Sequence, residues 1–150
     1  MRRRQFIILV GVWRNGSNGD RALMPWPGTE GGPPIYLGSW RSPKWITYAA
    51  RQCDGWIASG LYSSWPDIET GIRLFREAGG KRAILANVPL DVIAKQLPNL
   101  ESARGISLVC SPEEARQRLS RLERLGFDDV LVISPIDQPQ QLEVLAGTLA

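Results

Sequence analysis

The chain has 150 residues, of which 43% are apolar and 22% charged, and this length and composition predict one globular domain with a hydrophobic core. No run of about 18 apolar residues occurs, which excludes a membrane-spanning helix. Histidine is absent, and the two cysteines alone cannot form a zinc site, so we expect no bound metal. Cys53 and Cys110 are predicted to be small buried residues in a reducing, cytoplasmic environment.

Residues 1–34 are predicted to form a basic, turn-rich N-terminal segment ahead of a domain over 35–150. Its start, Arg2-Arg3-Arg4-Gln5-Phe6-Ile7, is similar to a twin-arginine export signal. The apolar stretch that follows ends at Trp13, however, and no small-residue cleavage site follows it. We therefore interpret this start as a short strand or a basic tail and expect a cytoplasmic protein.

Basic and aromatic residues are concentrated at the N-terminal end of the chain. Residues 1–50 contain seven Lys and Arg against two Asp and Glu, and all six tryptophans lie in the first 65 residues. Such a mixture suits single-stranded nucleic acid, but it equally suits a flavin-like ring, an aromatic-lined pocket or a protein interface. Because no nucleic-acid-binding motif accompanies it, nucleic acid is not the expected partner.

Short apolar runs alternate with amphipathic segments from residue 35 onward. Ile35–Leu37 predicts a strand, and Ser42 followed by Pro43 predicts a helix start, since Ser caps helices and Pro suits their first turn. The apolar positions at helical spacing in this helix are Trp45, Ile46, Ala49, Ala50 and Cys53. Asp54 is predicted to lie in a turn, where its carboxylate satisfies backbone N–H groups.

The next two strands are predicted at Trp56–Ala58 and Ala83–Val88, the second ended by Pro89. Between them a helix opens at Pro66-Asp67 and stops at Gly79-Gly80. Its inward positions are predicted to be Ile68, Ile72, Leu74 and Phe75. Leu90–Leu97 is predicted as a short helix.

The C-terminal third predicts two further strand–helix units. Ile106–Cys110 is a short apolar run, and Ser111-Pro112-Glu113-Glu114 predicts a capping box that starts a helix ending at Gly126. Val130–Ile133 is continuously apolar, which predicts a strand covered on both faces. Asp128-Asp129 before it are predicted to be solvated. The remaining predicted positions are the buried stripe Ala115, Leu119, Leu122 and Leu125, and a last helix capped by Asp137 and carrying Leu142, Leu145 and Leu149.

Strands and helices thus alternate along 35–150, which predicts an α/β fold with a parallel sheet and helices packed outside it. Ligands of such folds bind at the corners that follow the carboxyl ends of the strands. These corners are therefore the places to look for a site.

Four segments together resemble the bacterial luciferase-like monooxygenase family. They are Pro33-Pro34-Ile35-Tyr36-Leu37-Gly38-Ser39-Trp40, Ala49-Ala50-Arg51-Gln52-Cys53-Asp54-Gly55-Trp56-Ile57, Ser111-Pro112-Glu113-Glu114-Ala115-Arg116 and Leu125-Gly126-Phe127-Asp128-Asp129-Val130. The family consists of flavin (FMN)- or deazaflavin-dependent oxidoreductases on a (β/α)8 TIM barrel. Such barrels need about 250 residues, and this chain begins near the family's fifth strand. The resemblance therefore implies half of a TIM-type barrel.

The corner Gly38-Ser39-Trp40 is the strongest candidate site. A strand end meets a helix N-terminus there, where backbone N–H groups and the helix dipole favour an anion, and Arg41 and Lys44 add positive charge. The resemblance implies that this corner lies against the phosphate of FMN or a deazaflavin. The other interpretation is an ordinary β–α turn in which glycine serves only the geometry.

Three further residues lie near the same predicted rim. Ser59-Gly60 ends the second strand and either lines the phosphate pocket or forms a plain turn. Asn87 ends a very apolar strand and either points into the site or caps the strand. No nucleophile–base or acid–base pair accompanies them, so no catalytic residue is predicted.

Two functions follow. The resemblance implies a luciferase-like oxidoreductase domain that retains the phosphate corner and has little activity alone; the alternative is a non-catalytic half-barrel assembly module. An open half-barrel would expose two sheet edges and one face. We predict Val88, Ile84, Val130 and Val132 on that face, covered by a second copy in a homodimer, by a missing N-terminal half-barrel, or by residues 1–34 folding back.

Overall fold

The computed structural model describes residues 34–93, 105–134 and 140–149. The predictions for residues 1–33, for most of the short helix over 90–97 and for the Asp137 cap lie outside these ranges. Within them, strands and helices alternate: β1 (Tyr36–Gly38), α1 (Pro43–Gln52), β2 (Gly55–Ser59), α2 (Trp65–Glu77), β3 (Arg82–Asp91), β4 (Leu108–Val109), α3 (Pro112–Leu125), β5 (Asp129–Ile133) and α4 (Gln140–Leu149).

All strand pairs of the sheet are parallel. β1 pairs with β2, and β2 pairs with β3, the longest strand. β3 also pairs with β5 over Ile84–Pro89 and with β4 at Leu90 and Asp91. The predicted α/β fold with a parallel sheet and alternating helices is therefore confirmed, and the strands described do not close into a barrel.

One face of the sheet is covered by helices and holds the core. Trp56 of β2 and Leu85 of β3 are fully buried there, and Phe75 of α2 packs its ring 5.7 Å from that of Trp56. Gly71 gives α2 room for this contact, since a Cβ would stand 2.6 Å from the Trp56 ring. Burial of these large side chains is the main stabilising term of the fold.

The predicted helix starts are correct in position. Pro43 and Pro112 occupy first-turn positions, and Gly126 ends α3 in the left-handed conformation with φ 102°. Asp54 also behaves as predicted, because its Oδ2 accepts a hydrogen bond of 2.7 Å from Ile35 N. Local sequence signals therefore located the helix ends and this turn.

Four predictions about single positions were wrong. β1 starts one residue later than predicted, and Trp45 of α1 is 48% exposed because it lies beyond the stripe that faces the sheet. Cys53 follows α1 and is half-buried, whereas Cys110 is buried as predicted. β3 continues through Pro89 to Asp91, since the strand gains β4 as a new neighbour directly after the proline.

Of the four residues predicted on the open face of the sheet, only Ile84 points to it, because it alternates with the buried core residues Ala83 and Leu85. Val88, Val130 and Val132 pack into the helix-covered core, so placing them on the open face was wrong. Because side chains alternate along a strand, Leu131 and Ile133 point the other way, and they are 39% and 42% exposed. The prediction that β5 is covered on both faces was wrong for the same reason.

The amino edge of the sheet is closed by ion pairs. Arg76 donates to Asp128 Oδ2 at 2.7 Å and to the carbonyl oxygens of Gly80 and Lys81. Asp129 is 7% exposed and accepts from Arg82 Nε at 2.8 Å. The prediction that the two aspartates are solvated was therefore wrong for Asp129, which is buried against Arg82, whereas the Asp128 side chain stays 39% exposed beside Arg76.

Candidate functional site

The five residues predicted to bind a cofactor meet at the carboxyl edge of the sheet. Gly38 ends β1, with Ser39 and Trp40 after it, and Ser59 ends the neighbouring β2 ahead of Gly60. The strands run side by side, with Gly38 paired to Ile57. The corner formed by residues 38–42, called here the β1–α1 corner, therefore adjoins the end of β2.

Ser39 is fixed to β2 through its backbone. Its N–H donates to Ile57 O at 3.0 Å, and its carbonyl oxygen accepts from Trp56 Nε1 at 2.7 Å. The amide of Ser39 is consequently not free for a ligand, which corrects the expectation of unpaired N–H groups at this residue. The bonds instead hold the chain rigidly just before it enters α1.

The N-terminus of α1 lacks the side-chain caps that the N-termini of α2 and α3 have. Ser42 occupies the N-cap position of α1 without a side-chain hydrogen bond, and the first turn contains no acidic residue. The first helical hydrogen bond runs from Ile46 N to Ser42 O, which leaves the amides of Lys44 and Trp45 without a helical partner. Unpaired amides at a helix N-terminus carry partial positive charge and favour an anion.

The α2 and α3 N-termini are satisfied internally. In α2, Ser64 and Asp67 form a reciprocal capping box, with Ser64 N donating to Asp67 Oδ2 at 2.8 Å. In α3, Ser111 Oγ accepts from Glu114 N at 3.3 Å. Each of these two ends also carries a carboxylate, so only the N-terminus of α1 among the three is both uncapped and free of acidic residues.

Two cations accompany the β1–α1 corner. Lys44 lies in the first turn of α1 with its ammonium 5.4 Å from the centre of the Trp45 ring, and Arg41 is exposed. Hydrogen bonds from Ser64 hold the pKa of Asp67 below its ordinary value, and the positive charge of Arg41 lowers that pKa further. Arg41 and Asp67 also line a groove of about 190 Å³ between α1 and α2.

The two predicted glycines differ in what surrounds them. A Cβ at Gly38 would meet nothing within 4 Å, so the backbone there is open to a ligand. A Cβ at Gly60 would lie 3.0 Å from both Ile106 O and the Val88 side chain, and the Gly60 N–H donates to Ala86 O. Close packing is therefore sufficient to explain Gly60, whereas Gly38 has no structural neighbour that requires it.

An exposed aromatic pair stands beside the β1–α1 corner. Trp40 and Tyr62 are 51% and 60% exposed, and their ring centres are 4.7 Å apart at an angle of 37°. Tyr62 was not predicted as a site residue, because it lies in the loop after β2, where no periodic pattern of apolar residues indicates which way a side chain points. The pair brings the loops after β1 and β2 together and presents an aromatic surface at the same edge.

Two buried hydroxyls near the end of β2 have no partner. Ser59 is 2% and Ser63 1% exposed, and neither Oγ makes a hydrogen bond within the part of the chain that the structure describes. A buried hydroxyl without a partner costs free energy, so each such group calls for an explanation. Ser59 is the one that lies on the sheet itself.

Asn87 lies within β3 rather than at its end. Leu85 pairs with Val130 and Val88 with Val132, so Ala86 and Asn87 together oppose the single residue Leu131. This arrangement is a β-bulge, and Asn87 has a left-handed φ of 56°, which is uncommon for a residue with a Cβ. The expectation that it caps the strand was wrong, since β3 continues for four more residues.

The described residues lack two further kinds of feature. Those ranges hold no cluster of three or more Cys, Asp or Glu side chains suited to a metal ion. They also contain no helix that is long and apolar enough to cross a membrane.

Comparison with known proteins supports the fold. No family model matches the chain, and no curated protein matches it. Among solved structures, it is similar to the crystal structure of apo-MsnO8, a luciferase-like monooxygenase, with a TM-score of 0.59 and 16% sequence identity over 82% of this chain. The match covers 52% of the MsnO8 chain, so this chain spans about half its length. The predicted half of a TIM-type barrel is thereby confirmed as the fold.

Proposed function

We propose that the chain is a luciferase-like oxidoreductase domain whose β1–α1 corner binds the phosphate of FMN or a deazaflavin. The proposal rests on the uncapped N-terminus of α1. Its free amides, together with Arg41 and Lys44, can bind an anion, whereas the N-termini of α2 and α3 are capped and carry carboxylates. The likeness to MsnO8 supports the fold, and the choice of FMN or a deazaflavin rests on the resemblance of the sequence to the luciferase-like family. Carboxyl edges of parallel strands are also where TIM-barrel enzymes place their phosphate sites.

The residues present fit such a group. Gly38 lets the phosphate approach the backbone, the Lys44 and Trp45 amides donate to it, and the Trp40–Tyr62 pair offers a surface for a planar ring. The bound cofactor would supply the hydride or oxygen chemistry, while the chain binds and orients it. The site contains no acid–base pair, so the proposal assigns these residues to binding and none of them to catalysis.

Titration of purified protein with FMN, and separately with a deazaflavin, tests the proposal through cofactor fluorescence. We expect Gly38→Trp to abolish binding, because the indole would fill the open space above the corner. Since a Cβ at Gly38 meets nothing within 4 Å, the substitution should leave the fold intact. Gly147→Trp is the matched control, because a Cβ there also meets nothing within 4 Å.

Two results would reject the proposal. One is the absence of any fluorescence change at high micromolar concentrations of either cofactor with the unaltered chain. The other is equal binding by Gly38→Trp and Gly147→Trp, which would place the cofactor away from the β1–α1 corner. Circular dichroism of both variants verifies that they are folded.

A second candidate function, a non-catalytic assembly module, is favoured by the open face of the sheet. Leu131 and Ile133 are exposed side by side there, although apolar residues of β5 would be covered in a closed barrel. This chain matches about half of the MsnO8 chain, so a second copy could supply an equal number of strands. We propose that a second copy covers this face in a two-fold dimer, the commonest closed assembly.

Light scattering over a tenfold dilution tests this association. We expect a dimer that Leu131→Lys and Ile133→Lys together dissociate, because each lysine would have to be buried in the interface. Leu142→Lys is the control, since Leu142 is 57% exposed on α4 rather than on the sheet. A single 16.7 kDa species at every dilution would show that no second copy binds.

A further inference from the structure

Ser59 and Asn87 point to the face of the sheet opposite the helices, where Asn87 is exposed and Ser59 is buried. Ser59 pairs with Ala86, so both point to the face opposite Ala58 and Leu85, which are buried under the helices. The bulge adds one residue between Leu85 and Val88, and it therefore turns Asn87 to the same side as Ala86. Without the extra residue, alternation would send the position after Ala86 into the core.

Each residue has a feature that destabilises the free protein, with no compensating interaction in the described part of the chain. The Ser59 hydroxyl is 2% exposed and has no hydrogen-bond partner in the described part of the chain. Asn87 holds a φ of 56°, which is strained for a residue with a Cβ, and its side chain is exposed. Uncompensated costs of this kind are concentrated at binding and active sites.

Their position relates them to the β1–α1 corner. Gly38 pairs with Ile57, two residues before Ser59, so the end of β2 lies between Trp40 and the bulge of β3. Neighbouring strands are about 4.8 Å apart and each residue advances about 3.3 Å along a strand, which places Ser59 roughly 8 Å and Asn87 roughly 13 Å from Gly38. A planar ring attached to a phosphate at α1 could reach across this distance.

We propose that Ser59 and Asn87 form a neutral polar subsite that hydrogen-bonds the carbonyl and N–H edge of a planar heterocycle. The inference rests on the proposed function, since the heterocycle is the ring of the cofactor whose phosphate occupies the β1–α1 corner. A hydroxyl and a carboxamide both donate and accept, which suits an uncharged amide-like edge. Neither residue carries a charge, so the subsite would not compete with the corner for the phosphate.

Riboflavin, FMN and inorganic phosphate separate the two parts of the site. We expect Ser59→Ala and Asn87→Gly each to weaken riboflavin and FMN by the same factor, about fivefold for one lost hydrogen bond. Inorganic phosphate should compete with FMN equally well in both variants and in the unaltered chain. Gly38→Trp should have the reverse pattern, with FMN and phosphate lost more than riboflavin.

Stability of the ligand-free protein supplies a second readout. Ser59→Ala removes an unpartnered buried hydroxyl, and Asn87→Gly relieves the left-handed strain, so both should leave Tm unchanged or raise it by a few degrees. Residues with a merely structural role would lower Tm when removed. Ser120→Ala in α3 is the matched control, and we expect neither its affinity nor its Tm to change.

The outcomes distinguish failure of this inference from failure of the proposed function. If FMN binds and neither Ser59→Ala nor Asn87→Gly weakens it, the subsite is rejected while the phosphate corner stands. A fall in Tm with unchanged riboflavin affinity likewise rejects it. If the unaltered chain binds neither FMN nor riboflavin, the subsite and the proposed function are both wrong.

Discussion

The two edges of the parallel sheet differ in whether their polar groups have partners within the protein. At the amino edge, Asp128 and Asp129 are paired with arginines, and the chain's polar groups are satisfied by one another. At the carboxyl edge, the α1 N-terminus is uncapped, the Ser59 hydroxyl has no hydrogen-bond partner among the described residues, and Asn87 has a left-handed φ. Interactions left incomplete in the free protein are available to a ligand, so the proposed function places binding at the carboxyl edge and stabilising ion pairs at the amino edge.

The largest effect is expected from Arg76 at the amino edge. Its guanidinium joins α2 to Asp128, Gly126 and two carbonyl oxygens of the loop before β3. We expect Arg76→Ala to lower the free energy of unfolding by about 2–3 kcal/mol, because hydrogen bonds to charged groups are lost and Asp128 loses its cation. Chemical denaturation measures this, and cofactor affinity should not change.

Arg73→Ala is the matched control for that prediction. Arg73 lies on the same helix but forms only an exposed ion pair with Glu77, at 3.4 Å. Such pairs contribute about 0–0.5 kcal/mol. Equal losses in the two variants would show that the amino edge is not held by the Arg76 network, and the contrast between the edges would then fail.

The capping box of α2 should have a smaller effect that depends on pH. Asp67 accepts hydrogen bonds from Ser64 N and Ser64 Oγ, and these bonds are the main reason its pKa lies below the ordinary 3.8. We expect Asp67→Asn to cost about 1 kcal/mol at pH 7. Because the pKa is lowered in the folded state, the stabilisation is present above about pH 4 and lost as pH falls through the folded value.

Urea denaturation of the unaltered chain and of Asp67→Asn, from pH 7 down to pH 3, measures this difference. The two stabilities should converge at the acidic end of the series. A difference that stays constant over the whole range would mean that the carboxylate charge does not stabilise the N-terminus of α2.

The smallest effect is expected from giving α1 the cap that it lacks. Trp45 occupies the third helical position, which corresponds to Asp67 in α2, and it is 48% exposed. Trp45→Glu should complete a capping box with Ser42, stabilise the chain by about 0.5–1 kcal/mol and weaken FMN binding about threefold. Thermal unfolding and fluorescence titration measure the two effects.

Trp45→Gln separates the charge from the loss of the indole. Glutamine completes the same capping box, which occupies the residue-45 amide, but it adds no carboxylate, so it should stabilise α1 comparably and weaken FMN less than Trp45→Glu does. Equal weakening by the two variants would mean that the negative charge of the carboxylate does not oppose cofactor binding at this helix end.

The sequence predicted elements whose signals are local. Ser111 and Pro112 located the start of α3 and Gly126 its end, because capping and left-handed glycine depend on a few neighbouring residues. The same holds for the β1–α1 corner, where a glycine after a strand precedes Ser42 and Pro43. The acidic side chains at the amino edge were harder to interpret, since Asp128 and Asp129 have their partners more than 45 residues away.

The sequence by itself determined the alternation of strands and helices and the place of the candidate site, since apolar spacing and caps act over a few residues. Only the tertiary structure decided which face each strand residue takes and which polar groups lack a partner. The bulge at Asn87 shows the reason: the extra residue is defined by pairing with β5, more than 40 residues later. Ser59 likewise lacks a partner because of what the fold brings near it and not because of its sequence neighbours.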